Sequence, residues 1–276
     1  MDTEFLQTLL DVVEGGSLAE AARRRNLTAA AVGQRLKALE TVLGATLVSR
    51  SGATVRPTPA CLRMVPRLQK ILAEAGRLKG DIAEDGLAGP YRLGAISTAL
   101  SDRVPALVGR LPTSAPEVGL KILPGSSAGL FAMLSRGELD AALLVQPAFP
   151  LPKSILAADL EDQPLAWIVP ARPVTRNLPL IVYDRSSWGG AIAWNWIQRN
   201  IADADILCEL DAPEMVAGLV AGGLGRAVLP VWGGLQRMAG IRIARIDTAP
   251  RRKLVFLHRG TPIDHACLAA LTDGRA

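Results

Sequence analysis

Residues 17–44 read SLAEAARRRNLTAAAVGQRLKALETVLG, and the order of starts and stops in this stretch decides the N-terminal fold. Ser17 and Glu20 have the spacing of a capping box: the hydroxyl accepts from the backbone N–H of residue 20, and the glutamate returns to the cap amide. The helix so opened is short, from Ala19 to about Arg25, and Asn26-Leu27 turns the chain. Thr28 then caps a longer helix whose Val32, Leu36, Leu39 and Val42/Leu43 make one apolar stripe, with Gly44 as its stop. Upstream, Phe5, Leu9, Val12 and Val13 repeat at helical spacing between Asp2 or Thr3 and Gly15-Gly16. A short helix, a tight turn and a helix with long polar side chains on its free face form the helix-turn-helix arrangement.

Working outward, residues 46–50 and 55–58 are strand-like runs joined by Ser51-Gly52-Ala53-Thr54, which predicts a wing flanked by Arg50 and Arg56. Charge is concentrated here. Between positions 20 and 70 stand ten basic residues and two acids; on a chain of net charge +5 that leaves the remainder acidic by three. A basic surplus on one small domain is an electrostatic footprint for phosphate.

Residues 5–60, FLQTLLDVVEGGSLAEAARRRNLTAAAVGQRLKALETVLGATLVSRSGATVRPTPA, resemble the LysR-type transcriptional regulators. The pattern is carried by Gly16-Ser17, Ala21-Ala22, Leu36, Ala38-Leu39-Glu40, Gly44, Leu47, Arg50, Val55 and Thr58. The resemblance implies two-fold related double-stranded DNA as partner, met by Thr28, Ala29, Ala30, Gly33, Gln34, Arg35, Lys37, Arg50, Ser51 and Arg56. Family members commonly open the recognition helix with Ser-Gln-Pro/Ser-Ala-Leu/Val-Ser, whereas this chain has Thr28-Ala29-Ala30-Ala31-Val32-Gly33. Ala29 cannot make the bidentate adenine contact of a glutamine, though alanine packs on thymine methyl groups. Base reading is therefore expected to rest on Gln34, Arg35 and methyl contacts, with Arg50 and Arg56 positioning the wing.

Thr58-Pro59 opens a further helix, in which Met64, Leu68, Ile71, Ala75, Leu78 and Ile82 follow a heptad seam suited to a partner helix. Pro66 predicts a kink or a later start. Pairing here would hold two recognition helices about one DNA turn apart; tetramers are usual for the family, while the sequence itself supports pairing. Gly86 to Pro90 is expected to break this helix.

Beyond it, apolar runs of strand length at 91–96, 118–123, 139–145, 165–169, Leu180–Tyr183, 227–229 and 254–257 alternate with helical patterns, predicting α/β units with mostly parallel sheets. Residues 91–144 and 209–230 resemble segments of a LysR effector domain, which implies a periplasmic-binding-protein-like fold of two lobes with a ligand cleft. The expected fold class is thus α+β and multi-domain. A winged helix-turn-helix occupies 1–58, a linker and dimerisation helix 59–86, and an effector domain 87–276. Within the last, lobe I covers about 87–163 and 237–276, and lobe II about 164–236.

In the family the cleft is lined by residues after the first strand, here Ser97 and Thr98, and by the loop before a helix, here Gly125-Ser126-Ser127. The expected effector set is Ser97, Thr98, Ser126, Ser127, Gln146, Ser186, Trp188 and Pro213, facing a small molecule of anionic or aromatic kind. Trp188 follows a strand in a Ser/Gly loop, where it could stack on an aromatic effector or pack in a core or an interface. Trp194 and Trp196, two apart, cannot face the same way on one helix.

Three cysteines, Cys61, Cys208 and Cys267, and two histidines, His258 and His265, make no metal-ligand set; no cofactor or metal is expected. The thiols read as buried structural groups, and a Cys208–Cys267 redox disulfide stays open. The start Met1-Asp2-Thr3-Glu4 is acidic, with no apolar signal core after it and no membrane-length apolar run, so a cytoplasmic location is expected. The rival readings are a solute-binding protein or an enzyme on a two-lobed α/β scaffold. The basic N-terminal segment argues against the first, and the absence of a nucleophile elbow, Walker loop or nucleophile–base pair against the second.

Overall fold

The computed structural model describes residues 2–51, 54–173 and 177–272, and of Arg50, Ser51, Arg77, Lys79 and Asp81 the backbone only. The chain divides into two compact units, Met1–Leu78 and Lys79–Ala276.

The first unit holds α1 (Thr3–Gly15), α2 (Leu18–Arg25), α3 (Ala29–Leu43), β1 (Val48–Ser51), β2 (Thr54–Pro57) and most of α4 (Pro59–Ile82). Each early helix is stopped by its own chemistry. Ser17 Oγ accepts from Glu20 N at 3.1 Å and Thr28 Oγ1 from Ala31 N at 3.1 Å, while Gly16, Asn26 and Gly44 turn the chain in the left-handed region. The capping box is half formed, because the Glu20 carboxylate pairs with Arg23 and Arg24 instead of returning to residue 17. Glu40 Oε1 accepts from Leu47 N at 2.7 Å and Val48 N at 3.2 Å, tying the wing to the end of α3. Leu6, Leu9, Val12, Ala21, Val32, Leu36, Leu39 and Leu47 form the core.

Helix α4 runs without interruption through Pro66, contrary to the kink or late start expected there. Pro66 and Leu62 both lie on the exposed side, where water can serve the Leu62 carbonyl that lacks its donor. The seam expected to pair along its length is divided. Met64, Leu68 and Ile71 pack on the core of their own unit, whereas Leu78 and Ile82 are 58% and 84% exposed.

The second unit takes the end of α4 and then β3 (Ala88–Ala95), so Gly89-Pro90 lie inside a strand and the break comes between Ile82 and Ala88, with Gly86 in the left-handed region. Then follow α5 (Ser97–Asp102), α6 (Val104–Ser114), β4 (Glu117–Pro124), α7 (Ser127–Arg136), β5 (Ala141–Val145) and β6 (Leu156–Pro170). Next come β7 (Leu180–Tyr183), α8 (Trp188–Asn200), β8 (Ile206–Leu210), α9 (Pro213–Ala221), β9 (Ala227–Pro230) and α10 (Gly233–Gln236). The unit ends with β10 (Ile241–Arg245), β11 (Arg251–His258) and α11 (Pro262–Thr272).

Strand β6 joins two lobes. Its first part pairs with β11, which continues through β5 and β3 to β4; its last part pairs with β9 and β10, and β7–β8 stand beside β9 through the Leu180–Arg226 bridge. The β3–β4, β3–β5 and β7–β8 pairs are parallel, but every pair made by β6 or β11 is antiparallel. The mostly parallel sheets expected are therefore mixed ones, because no helix separates β5 from β6 and the chain returns directly. The return to lobe I also falls later than 237: β10 pairs with Ala166–Pro170 of lobe II, so the crossing follows Arg245. Leu93, Leu107, Leu130, Leu143 and Phe256 centre the lobe I core, and Ile168, Val216, Leu229 and Trp232 that of lobe II.

Candidate functional site

The outer face of α3 carries Ala29, Ala30, Gln34, Lys37 and Ala38, all exposed, with Thr28 exposed at its cap and Gly33 half-buried. Arg35 does not belong to that face. Its Nη1 lies 3.1 Å from Thr8 Oγ1 and 3.6 Å from Glu4 Oε2, and its guanidinium sits 5.6 Å from the Phe5 ring centroid. The base-reading role expected of Arg35 is corrected: lying between Val32 and Leu36 on the helical repeat, it is drawn to the α1 side, where it fastens α1 to α3. Arg35→Ala is expected to lower stability in urea by about 1–2 kcal/mol, as loss of a charged hydrogen bond does, while sequence preference in DNA is kept. A loss of preference without loss of stability would return Arg35 to the reading face.

The arginines of α2 are also engaged within the unit: Arg23 and Arg24 with Glu20, Arg24 with Glu14, Arg25 with Asp11 and Glu4. Part of the basic surplus is thereby neutralised internally. Lys37, Arg56 and, along α4, Arg63, Arg67 and Lys70 are exposed. The side chains of Arg50 and Ser51, and the wing tip Gly52-Ala53, lie outside the described residues.

In the second unit a cavity of about 200 Å³ opens where the carboxyl ends of β3, β4, β7 and β8 meet the N-termini of helices. Ser97 and Thr98 line it from α5, Gly125, Ser126 and Ser127 from the start of α7, Tyr183 and Ser187 from the start of α8, and Asp211 from beyond β8. Strand ends and helix N-termini are where α/β sheets bind polar ligands. The hydroxyls are held in place: Ser126 Oγ accepts from Gly129 N at 3.2 Å, Ser127 Oγ from Val145 N at 3.2 Å and Ser187 Oγ from Gly190 N at 3.0 Å.

Arg252 of β11 forms part of this wall and is 0% exposed. Its Nε lies 2.9 Å from Gln163 Oε1 and its Nη2 3.1 Å from Thr98 Oγ1, while Nη1 is buried with no hydrogen-bond partner among the described residues. Burial lowers the Arg252 pKa, and the neighbouring Tyr183 works against that shift. Burial likewise raises the Tyr183 phenol, opposed by Arg252 and Ser187. Asp211 is raised by burial and then by Asp184 nearby.

Four of the expected effector residues, Ser97, Thr98, Ser126 and Ser127, thus come together, and four do not. Gln146 is exposed and donates its backbone N–H to Lys253 O. Ser186 is exposed and hydrogen-bonded to the Asp184 carboxylate. Pro213 is buried as the opening residue of α9. Trp188 is half-buried, packs against Phe131 and the exposed Phe149 with ring centroids 5.9 and 5.5 Å away, and is not among the residues lining the cavity. Arg252, Tyr183, Ser187 and Asp211 were not expected. Strand alternation held the signal for Arg252, which stands two and four residues before Leu254 and Phe256 on one face.

Residues 84–271 match the LysR substrate binding domain, and residues 3–62 match the bacterial regulatory helix-turn-helix protein of the lysR family. The chain belongs to the LysR family. This LysR-family chain is 26% identical to the "Probable HTH-type transcriptional regulator LrrA" of Synechococcus elongatus over 83% of its own length and 81% of the relative's. It is 28% identical to a "Probable hydrogen peroxide-inducible genes activator" of Streptomyces viridosporus, over 92% and 86%. Its fold is similar to that of full-length CbnR complexed with its target DNA, with a TM-score of 0.71, 18% identity and 98% and 99% of the two chains covered.

Of the thiols of this LysR-family chain, Cys61 and Cys267 are buried and Cys208 is half-buried. Cys267 is buried in the lobe I core and its pKa is pushed up to about 12, chiefly by burial, while Cys208 packs against the lobe II core. A thiolate is the reactive species, so a group held this far toward the thiol is inert at neutral pH. At pH 8 iodoacetamide is expected to spare Cys61 and Cys267 in the folded protein and to label half-buried Cys208 first. Prompt labelling of Cys267, read by peptide mass, would contradict this packing.

Proposed function

We propose that this chain is a sequence-specific DNA-binding transcriptional regulator whose DNA binding or bending is modulated by a small-molecule effector held in the interlobe cleft. The observation that carries the reading is the pairing, on one chain, of a recognition helix with a free face and a polar cleft built around a buried arginine. On α3 the face of Ala29, Ala30, Gln34 and Lys37 enters the major groove. Small residues admit close backbone approach and methyl contacts, Gln34 reads a base edge, and Lys37, Arg56 and the exposed arginines of α4 meet phosphates. Arg50 and Ser51 keep their place in this proposal through their position in β1.

The exposed end of α4, at Leu78 and Ile82, supports self-association of two copies, which a two-fold DNA site requires. No described helix is long and apolar enough to cross a membrane, and the DNA-binding reading supports a cytoplasmic regulator rather than an enzyme. Binding of an effector between lobes that share β6 alters their closure, and this shifts the spacing of the paired DNA-binding units.

The test is DNase I footprinting and anisotropy on DNA from upstream of the protein's own coding region, with and without a metabolite extract. Gln34→Ala is expected to cost about 1–3 kcal/mol on the preferred site and little elsewhere. Lys37→Ala should weaken every sequence alike and make the salt dependence shallower by about one phosphate contact. Equal losses on all sequences from both variants would remove Gln34 from base reading, and a footprint indifferent to every extract would remove the effector.

A further inference from the structure

Resting on the effector reading above, we propose that the cleft takes a small zwitterion of the α-amino-acid kind, its carboxylate toward Arg252 and its ammonium toward Asp211. The two walls of the cavity carry opposite charge. On the β11 side, Arg252 is fully buried; its guanidinium meets the oxygens of Gln163 and Thr98 and the Tyr183 phenol, with the Glu214 and Glu161 carboxylates in electrostatic reach. The buried Nη1 brings donors with no partner among the described residues. Such donors are costly to leave unmet, and a guanidinium edge suits a carboxylate better than any other small group.

Asp211 lines the same cavity from the lobe II side. Three residues on, both carboxylate oxygens of Glu214 are buried without a hydrogen-bond partner among the described residues. The nearby Asp184 carboxylate is occupied by the Ser186 hydroxyl and backbone N–H. The Asp211 carboxyl is raised by burial and by the charges of Asp184 and Glu214, against a lowering hydrogen bond from Ser187, and Glu214 in turn lies within the electrostatic reach of Arg252. A plain anion entering for Arg252 would meet that negative wall, and a neutral molecule would leave both walls unmatched. A molecule with a carboxylate at one end and an ammonium at the other satisfies both. The cavity of about 200 Å³ limits it to a ligand below the roughly 300–1,000 Å³ usual for drug-sized molecules.

The experiment is calorimetric titration of the full-length chain with the common L-α-amino acids, each compared with its deaminated carboxylate and its carboxamide. At least one amino acid is expected to bind, and to lose at least about tenfold in affinity when either charged end is removed. Asp211→Asn should erase the preference for the ammonium form and tighten the deaminated carboxylate, a readout that a merely unfolded variant cannot give. If deaminated carboxylates bind as tightly as their parents, the proposal falls while the effector cleft survives. If no amino acid binds, it falls as well. The extract-dependent footprint tests the cleft reading separately.

Discussion

Gly190→Ala is expected to lower the thermal midpoint of the effector domain by roughly 6–12 °C, corresponding to about 3 kcal/mol or more. A Cβ at position 190 would stand 1.9 Å from the Asp184 carbonyl oxygen and 2.7 Å from that of Tyr183, and both are backbone atoms that no rotamer change can move. The closeness comes from the cap of α8. Ser187 Oγ donates to Asp184 O and accepts from Gly190 N, which folds the chain from β7 onto the first turn of the helix. That turn carries Ser187 and Tyr183 into the cleft wall, so the same substitution should disturb ligand binding. Gly109→Ala is the control: nothing lies within 4 Å of its added Cβ, and an exposed helical glycine gains up to about 1 kcal/mol from alanine. Equal melting of the two variants, followed by circular dichroism, would show that the turn is not packed this way.

Asp264→Ala should be as damaging. Its carboxylate, 1% exposed, accepts from the Tyr91 hydroxyl, from Arg259 N at 3.1 Å and from Thr261 N at 2.8 Å, fastening the start of α11 to β3. Alanine leaves a phenol and two backbone donors unmatched in or beside the lobe I core, a loss of about 3–5 kcal/mol. Tyr91→Phe removes one partner together with its own hydroxyl and should cost only about 1 kcal/mol. Urea unfolding of both single variants and the double variant measures the coupling. An Asp264→Ala loss no larger than that of Tyr91→Phe would mean that the backbone donors find other acceptors.

The N-terminal unit was legible because its boundaries are local chemistry. Ser17, Thr28, Gly16 and Gly44 act within one turn of where they stand, and the stripe of Val32, Leu36 and Leu39 follows the helical repeat. What escaped is what depends on a distant partner. Arg35 looked free until Glu4, Thr8 and Phe5 came beside it from α1. Strands β8 and β10 lie at sheet edges, where β8 leaves Ile206 and Leu207 exposed and β10 is interrupted by Arg242 and Arg245.

Arg252 sits between Arg251 and Lys253, and a basic triplet reads as a solvated face. Yet Arg251 and Lys253 turn outward to Asp162 and Asp159, while Arg252 turns inward to Gln163 across the ladder. In the cleft, hydroxyls at helix starts were foreseeable from capping patterns. Asp211, Tyr183 and Ser187 needed the topology that gathers four strand ends at one place.

In the proposed role this chain reads a DNA sequence. The measurement that tests this most directly is the affinity of the full-length protein for DNA from upstream of its own coding region, against a scrambled fragment of equal length, over a range of salt. Affinity should fall steeply with salt on both fragments, with the upstream DNA bound at least about a hundredfold more tightly. Equal affinity for the two fragments at every salt concentration would contradict it.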